Sequence, residues 1–376
     1  MNIVFQCNEL PPGTTGGIGI FVEKAADYLY KNGHRVTVIG IFDESIDDNH
    51  EFKVVRLKRF RRGGLSGYLL NVMKFQLYLL YYVLVVDRSV DMIEYVDYEG
   101  FGGLHMNWKP FVTRMHNPSF HTKGKYFGNS RWNLRQSIPW ILQCMSLKRS
   151  KQAIGVSHAT FKKNKELCGF RNGSVIHNFL PFTEQDRQVK PFRHDNPYIV
   201  SIGTVNKKKG ADKLIDAFVK VVASDVNLDL VFVGRMHNNE IRQQIQALEK
   251  KYQERIVFVG EKSHNDVARY IKGAELAVFP SQHDTFGLAW IEAMYFSKIV
   301  IVADLPHAEE IVQDAVSGFI SSVRADDIAK AINHVVKMSC EERRQIAEKA
   351  YETVIKRFNM ETQMERNIHV WESALR

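Results

Sequence analysis

Short β-branched, apolar runs alternate with longer amphipathic stretches from one end of the chain to the other. Runs without polar alternation belong to strands covered on both faces, and strands separated by helices pair in parallel. The pattern therefore predicts an α/β protein built from parallel sheets layered between helices. In the first half the predicted strands run from Asn2 to Cys7, Arg35 to Ile41, Lys53 to Leu57, Met92 to Tyr95, Phe111 to Met115, Gln152 to Val156 and Ser174 to Ile176. The rhythm restarts with Tyr198 to Ile202, Asp229 to Gly234, Ile256 to Gly260, Leu276 to Phe279 and Ile299 to Val302. From Asp326 to Arg376 the pattern is helical throughout.

Between the two series lie His177-Asn178-Phe179-Leu180-Pro181 and the polar stretch from Thr183 to Pro197. A proline-containing polar segment between two complete α/β series is where a domain boundary falls. This gives an N-terminal domain over 1–180, a C-terminal domain over 181–360, and a last helix over 361–376 that can pack back on the N-terminal domain. No solenoid repeat is visible.

The 376 residues, 45% hydrophobic and 25% charged, exclude a disordered or fibrous chain. Charge changes the picture more than composition does. The net charge is +9, yet residues 1–180 carry 24 basic and 14 acidic side chains (+10) and residues 181–376 carry 27 and 28 (−1). Between Glu99 and Glu166 there are 66 residues with twelve Lys or Arg and no carboxylate. Such a stretch predicts a basic face that attracts an anionic membrane surface, a polyphosphate or a charged acceptor.

The apolar segment from Leu65 to Val86 contains Asn71, Lys74 and Gln76 and lies between strands, so it reads as a buried or half-buried helix rather than a membrane span. Arg56, Lys58, Arg59, Arg61 and Arg62 precede it, the pattern of an interfacial membrane contact. The four cysteines, Cys7, Cys144, Cys168 and Cys340, form no C-x-x-C pair and signal neither zinc nor a redox dithiol. A reducing cytosol is their natural setting. The start, Asn2-Ile3-Val4-Phe5-Gln6, lacks the charged opening and long apolar run of a secretory leader.

Candidate chemistry collects after the strands. The first strand leads into Pro11-Pro12-Gly13-Thr14-Thr15-Gly16-Gly17-Ile18-Gly19, with a helix expected from near Phe21. Glycines there let backbone amides approach an anion, but Val22 stands where a dinucleotide fingerprint needs its third glycine and no Gly-Lys-Ser/Thr follows. Thr113-Arg114-Met115-His116-Asn117-Pro118 ends a strand and places His116 where a ligand can be touched.

In the second half, Gly203-Thr204 precedes Lys207, Lys208 and Lys209 at a helix start. Three cations there oppose the helix dipole unless an anion offsets them, which marks a diphosphate site. Pro280-Ser281-Gln282-His283-Asp284-Thr285-Phe286-Gly287-Leu288 then runs into a helix carrying Glu292, a carboxylate pair suited to sugar hydroxyls. Asp304-Leu305-Pro306-His307-Ala308-Glu309-Glu310 reads equally as a functional turn or a capped helix with surface carboxylates.

In their order and spacing these residues resemble the retaining nucleotide-sugar glycosyltransferases of GT-B fold marked by a Glu-x(7)-Glu motif. The resemblance runs through Gly16-Gly17, Gly33-His34-Arg35-Val36, Asp91-Met92-Ile93-Glu94, His116, Val156-Ser157, Asn178, Lys209-Gly210 and Pro280 to Gly318. It implies two Rossmann-like domains facing a cleft and transfer of a sugar from a nucleotide diphosphate sugar, with retention and without an obligate metal or other cofactor. It implies Lys209 on the donor diphosphate, Glu292 on the ribose hydroxyls and Asp284 on the transferred sugar. It also implies the Phe286, Gly287 and Leu288 amides facing sugar and phosphate, His116 beside the sugar, and Gly17 near diphosphate and acceptor. Two departures stand out: the motif's first Glu is Asp284, and its usual arginine is Thr204, a gap that Lys207 or Lys208 would fill.

These features predict a transferase on the cytoplasmic face of a membrane that acts on a lipid-linked or saccharide acceptor in cell-surface polysaccharide synthesis. A nucleotide-sugar epimerase fits the Asp284 to Glu292 spacing less well. The non-enzyme alternative is a degenerate sugar-nucleotide or nucleic-acid binding protein. Nucleic acid as a partner is disfavoured because the aromatic residues lie mainly in core-like segments.

Overall fold

The computed structural model describes residues 1–13, 16–43, 48–61, 63–116, 134–236 and 239–376. Asn117 and Pro118, Arg62, and Lys123, Lys125 and Arg131 of the carboxylate-free stretch lie outside them. The chain forms two compact units, one of Met1–Pro181 with Met360–Arg376, the other of Phe182–Asn359.

The first unit carries a seven-stranded parallel sheet in the order β3-β2-β1-β4-β5-β6-β7. Its strands are β1 (Asn2–Gln6), β2 (Arg35–Phe42), β3 (Lys53–Lys58), β4 (Met92–Val96), β5 (Phe111–Met115), β6 (Gln152–Gly155) and β7 (Gly173–Val175). Helix α1 (Gly17–Lys31) starts four residues earlier than the sequence pattern places it, with Gly16 extended at its N-cap. Its apolar side, Phe21, Val22, Ala25 and Leu29, packs on the sheet together with Met364 and Trp371 of the chain's last helix. Helix α2 (Gly64–Tyr81, wider-turned through Tyr82–Val86) covers the sheet with Val72, Phe75, Leu79 and Val83. The segment is long and apolar enough to cross a membrane, but one face of it is core.

Helices α3 (Leu134–Arg149) and α4 (His158–Cys168) follow. They bring Cys144 and Cys168 together as a disulfide across a sequence separation of 24, a pairing that cysteine spacing does not signal. The carboxylate-free stretch is not one basic face. Arg114 is wholly buried against Glu94, and Arg149 donates to the Gly103 and His105 carbonyls. The Arg56 to Arg62 cluster is likewise divided, because Arg56 turns inward to Asp48 at 2.7 Å and Arg59 pairs with Asp43 at 3.2 Å.

The second unit has a six-stranded parallel sheet ordered β10-β9-β8-β11-β12-β13. Its strands are β8 (Tyr198–Ile202), β9 (Asp229–Val233), β10 (Ile256–Gly260), β11 (Leu276–Phe279), β12 (Ile299–Ala303) and β13 (Phe319–Ser321). Sequence patterning misses β13, a three-residue edge strand. Helices α5 (Ala211–Val222), α6 (Asn239–Gln246), α7 (His264–Gly273), α8 (Leu288–Tyr295), α9 (Ala325–Lys337) and α10 (Cys340–Arg357) belong to this unit. Leu214, Ile215, Phe218 and Val221 of α5 and Ile328, Ile332 and Val335 of α9 share the core against β8, β9 and β11. Helix α11 (Met360–Leu375) returns to the first unit.

In both sheets the order reverses beside the first strand of the series, β1 or β8. That reversal splits the connecting helices to opposite faces and leaves a crevice at the strands' carboxyl ends, where ligands of open α/β sheets bind.

Candidate active site

At the carboxyl end of β8, Gly203 (φ +118) opens a loop through half-buried Thr204 and Asn206, whose side chain accepts from the Lys209 amide at 2.8 Å and starts a tight turn over Lys207–Lys209. Gly210 (φ +73) ends it, and a Cβ there would stand 1.9 Å from the Pro280 carbonyl. Only glycine therefore lets this loop press against the end of β11. Gln282 completes the join by donating from its amide to the Lys208 carbonyl at 2.9 Å and from Nε2 to the Lys207 carbonyl at 3.0 Å.

The joined loops bring Lys209 and Asp284 into contact, Nζ to Oδ2 at 2.7 Å. Burial would raise the Asp284 carboxyl, but the Lys209 ammonium, by charge and hydrogen bond, outweighs it and holds the group well below the usual carboxylate range. The Thr285 amide donates to Oδ1 at 2.8 Å. Lys208 is lowered by burial and by Lys209, with Asp284 pulling the other way, so it belongs to the same cluster. Lys207 does not: it is exposed and pairs with Glu240 at 3.0 Å.

Past Asp284 the chain turns at Gly287 (φ +88), where a Cβ would lie 2.5 Å from the Trp290 ring, and α8 begins at Leu288 with no side-chain cap. Phe286 points inward, its ring edge-on to Phe358 at 5.6 Å. Glu292 is buried in α8, and burial raises its carboxyl from 4.5 to about 7. Its side chain has no ion-pair partner among the described residues.

His307, left open between two readings by sequence, is 2% exposed and stacks on Trp290 at 5.1 Å and 15°. Burial lowers its pKa while Asp284 and Glu310 pull it up, and its Nε2 has no partner among the described residues. Its signal in the sequence was its place after β12, at a carboxyl end of the sheet.

The first unit holds two of the expected residues, His116 and Gly17, and sets His116 against the helix that Gly17 starts. His116 follows β5, its amide donating to buried Asp97 at 3.0 Å. Its ring meets Phe21 of α1 edge-on at 5.5 Å. Burial and the neighbouring Arg114 push the imidazole well below its ordinary pKa, so it is neutral, and Nε2 has no partner among the described residues. Gly17 is the first residue of α1. The anion its loop approaches belongs to the chain itself: Glu9, whose carboxylate accepts from the Gly16 amide and lies 2.4 Å from where a Gly16 Cβ would stand. Burial and nearby Glu99 raise the Glu9 pKa while the Gly16 amide lowers it. Sequence reading missed Glu9 because nothing local links it to a helix that starts eight residues on.

Two parallel sheets wound in this order, with lysines and carboxylates gathered where one of them reverses, define a glycosyltransferase of the two-domain GT-B class. The chain belongs to the group 1, family 4 glycosyltransferases. The family description "Glycosyltransferase Family 4" matches residues 15–183 and "Glycosyl transferases group 1" matches residues 182–353. An uncharacterized glycosyltransferase of Methanocaldococcus jannaschii is 23% identical across 100% of this chain and 99% of its own. Sucrose-phosphate synthase of Thermosynechococcus elongatus superposes with a TM-score of 0.82 at 18% identity, covering 99% of this chain and 98% of that one. Anabaena HepE in complex with UDP-glucose gives 0.76 at 18%, covering 99% and 100%.

Proposed function

We propose that this glycosyltransferase moves a sugar from a nucleotide diphosphate sugar to a lipid-linked or saccharide acceptor, with retention at the anomeric carbon. The setting is cell-surface polysaccharide synthesis on the cytoplasmic face of a membrane. The observation that carries the donor half of this reading is the cluster of Lys208, Lys209 and Asp284 on two loops stitched together at the sheet's reversal, with Glu292 one helix turn beyond.

Cleaving the glycosyl–phosphate bond develops negative charge on the departing diphosphate, and preorganised cations stabilise it without reorganising. Lys209 and Lys208 are such cations, and the uncapped start of α8 adds its dipole. Asp284 holds Lys209 when no donor is bound and accepts from hydroxyls of the transferred sugar when one is. Glu292, buried without a cation, accepts the two ribose hydroxyls. Neutral His116 offers Nε2 as a hydrogen-bonding partner rather than a charge, and no protein nucleophile is assigned. With lysines neutralising the diphosphate, the reaction needs no divalent metal.

Incubation with a panel of UDP-, GDP- and dTDP-sugars, following nucleoside diphosphate release with and without EDTA, tests this reading. One donor turns over, chelator leaves the rate unchanged, and NMR of the product gives the donor's anomeric configuration. Binding of a donor with no turnover would instead favour the degenerate sugar-nucleotide binder.

A further inference from the structure

We propose that the outward face of α2 is a docking surface for an anionic lipid bilayer. Leu70, Met73, Leu77, Tyr81 and Leu84 follow one another at steps of three or four residues, which places them in a single stripe along the helix. They are 38–53% exposed, and Val85 beside them is 63% exposed. A helix covering a soluble sheet ordinarily presents polar residues on that side. Here the outer face is nearly as apolar as the inner one, and a contiguous patch of this kind marks an interaction site.

The charges around the stripe select its occupant. From Phe52 to Val86 the chain has no carboxylate. Arg56 and Arg59 are taken up by Asp48 and Asp43, which leaves Lys58, Arg61 and Lys74 at one end of the stripe. Lys74 is fixed there, its ammonium 4.7 Å above the exposed Phe60 ring and donating to the Lys58 carbonyl at 2.5 Å. Asn71 holds the Phe60 loop against the helix by accepting from its amide at 2.8 Å. At the other end Arg88 donates to the Leu84 carbonyl at 2.7 Å, and Lys109 reaches the Arg88 carbonyl at 3.2 Å. Trp108, 63% exposed, stands next to Lys109.

An apolar stripe with aromatic residues and cations at its ends fits the acyl–headgroup boundary, apolar side in and ammonium groups among lipid phosphates. A second copy of the same face would set basic rims against each other, which disfavours self-association. Because α2 follows β3, its Phe60 end lies at the carboxyl edge of the sheet. Arg59 is 3.7 Å from Glu99 there, and Glu99 accepts from Asn8 at the end of β1 at 2.6 Å. Docking therefore brings the bilayer to the edge where β1 ends and α1 begins at Gly17. That last consequence rests on the transfer reading, whereas the docking does not.

The test is sedimentation of the full chain with vesicles of phosphatidylcholine and phosphatidylglycerol in equal parts, and of phosphatidylcholine alone, at low and high salt. The chain should sediment with the anionic vesicles and be released by salt. The double variant Leu77→Glu, Leu84→Glu should weaken binding by at least about tenfold, and Arg61→Glu with Arg88→Glu by about twenty-five-fold or more, about fivefold per basic residue. Donor hydrolysis by each variant checks the fold and fails separately if the transfer reading is wrong. Brominated acyl chains give a readout that needs no charged substitution: they should quench the wild-type tryptophan emission, and Trp108→Phe should remove part of that quenching. Failure of the wild type to sediment, equal sedimentation of the Leu77→Glu, Leu84→Glu variant, quenching unaltered by Trp108→Phe, or a wild-type dimer that this variant converts to monomer would each overturn the proposal.

Discussion

Lys209 and Asp284 stand 75 residues apart in the chain and 2.7 Å apart in space. The pair exists because Gly210 lets one loop lie against the Pro280 carbonyl and Gln282 ties the two loops by two hydrogen bonds. In this state Asp284 occupies the cation that the transfer reading assigns to the donor diphosphate, so the two functions compete for one ammonium group.

Asp284→Asn removes that competition. Nucleoside diphosphate affinity should stay the same or tighten by up to about tenfold, while sugar transfer falls by about a hundredfold or more. Calorimetry with UDP or GDP and steady-state rates separate the two effects. Asp284→Glu, which lengthens the carboxylate arm by one methylene, should alter the preference among donor sugars more than the affinity for the nucleotide.

Lys207 and Lys208 are distinguishable by environment even though they are adjacent. Lys207→Ala breaks only an exposed pair with Glu240 and should leave transfer within about twofold of wild type. Lys208→Ala removes a cation from the Lys209–Asp284 cluster and should slow transfer by about tenfold to a thousandfold. Equal rates in the two variants would refute Lys208 as a contact to the donor diphosphate.

Glu292 should cost stability and supply binding. Its carboxyl is raised by burial from 4.5 to about 7, so between these values the folded state holds a proton that the unfolded chain releases. Stability therefore falls as pH rises through that window, by about 3 kcal/mol when it is crossed completely. Glu292→Gln should raise the melting temperature at pH 8 and change it little at pH 5. If ribose hydroxyls bond the ionised carboxylate, nucleotide affinity should rise as pH rises through about 7 in the wild type, and lose that dependence in Glu292→Gln.

The last helix should be indispensable to the first unit. Arg114 Nε donates to Glu94 at 2.6 Å in a site where both side chains are at most 1% exposed. Helix α11 completes it: Trp371 Nε1 donates to Glu94 Oε2 at 2.5 Å, and Asn367 accepts from Arg114. Trp371→Phe leaves part of a buried carboxylate unsatisfied and should destabilise the unit by about 1–3 kcal/mol in urea melts. Ending the chain at Asn359 should leave Met364 and Trp371 missing from the core and yield insoluble protein.

By itself the sequence determined both sheets except for the short edge strand β13. Strands buried on both faces are apolar with little interruption, so runs such as Ile299 to Val302 and Leu276 to Phe279 mark themselves, and their alternation with helices dictates parallel order. It also placed Lys209, Asp284 and Glu292 after strands of one series, because ligand-binding residues of such sheets cluster at strand ends. Tertiary structure alone decided which neighbours those residues meet. Nothing local says that Arg114, in a segment without carboxylates, is buried on Glu94 and Trp371. Local sequence is equally silent on Glu9 accepting from the Gly16 amide, on Cys168 reaching Cys144 and on His307 stacking on Trp290. The charge excess of the first half was legible as a number, but its distribution was not. Whether an arginine faces solvent or a carboxylate depends on where chain segments far apart in sequence come together, and short-range periodicity carries no record of that.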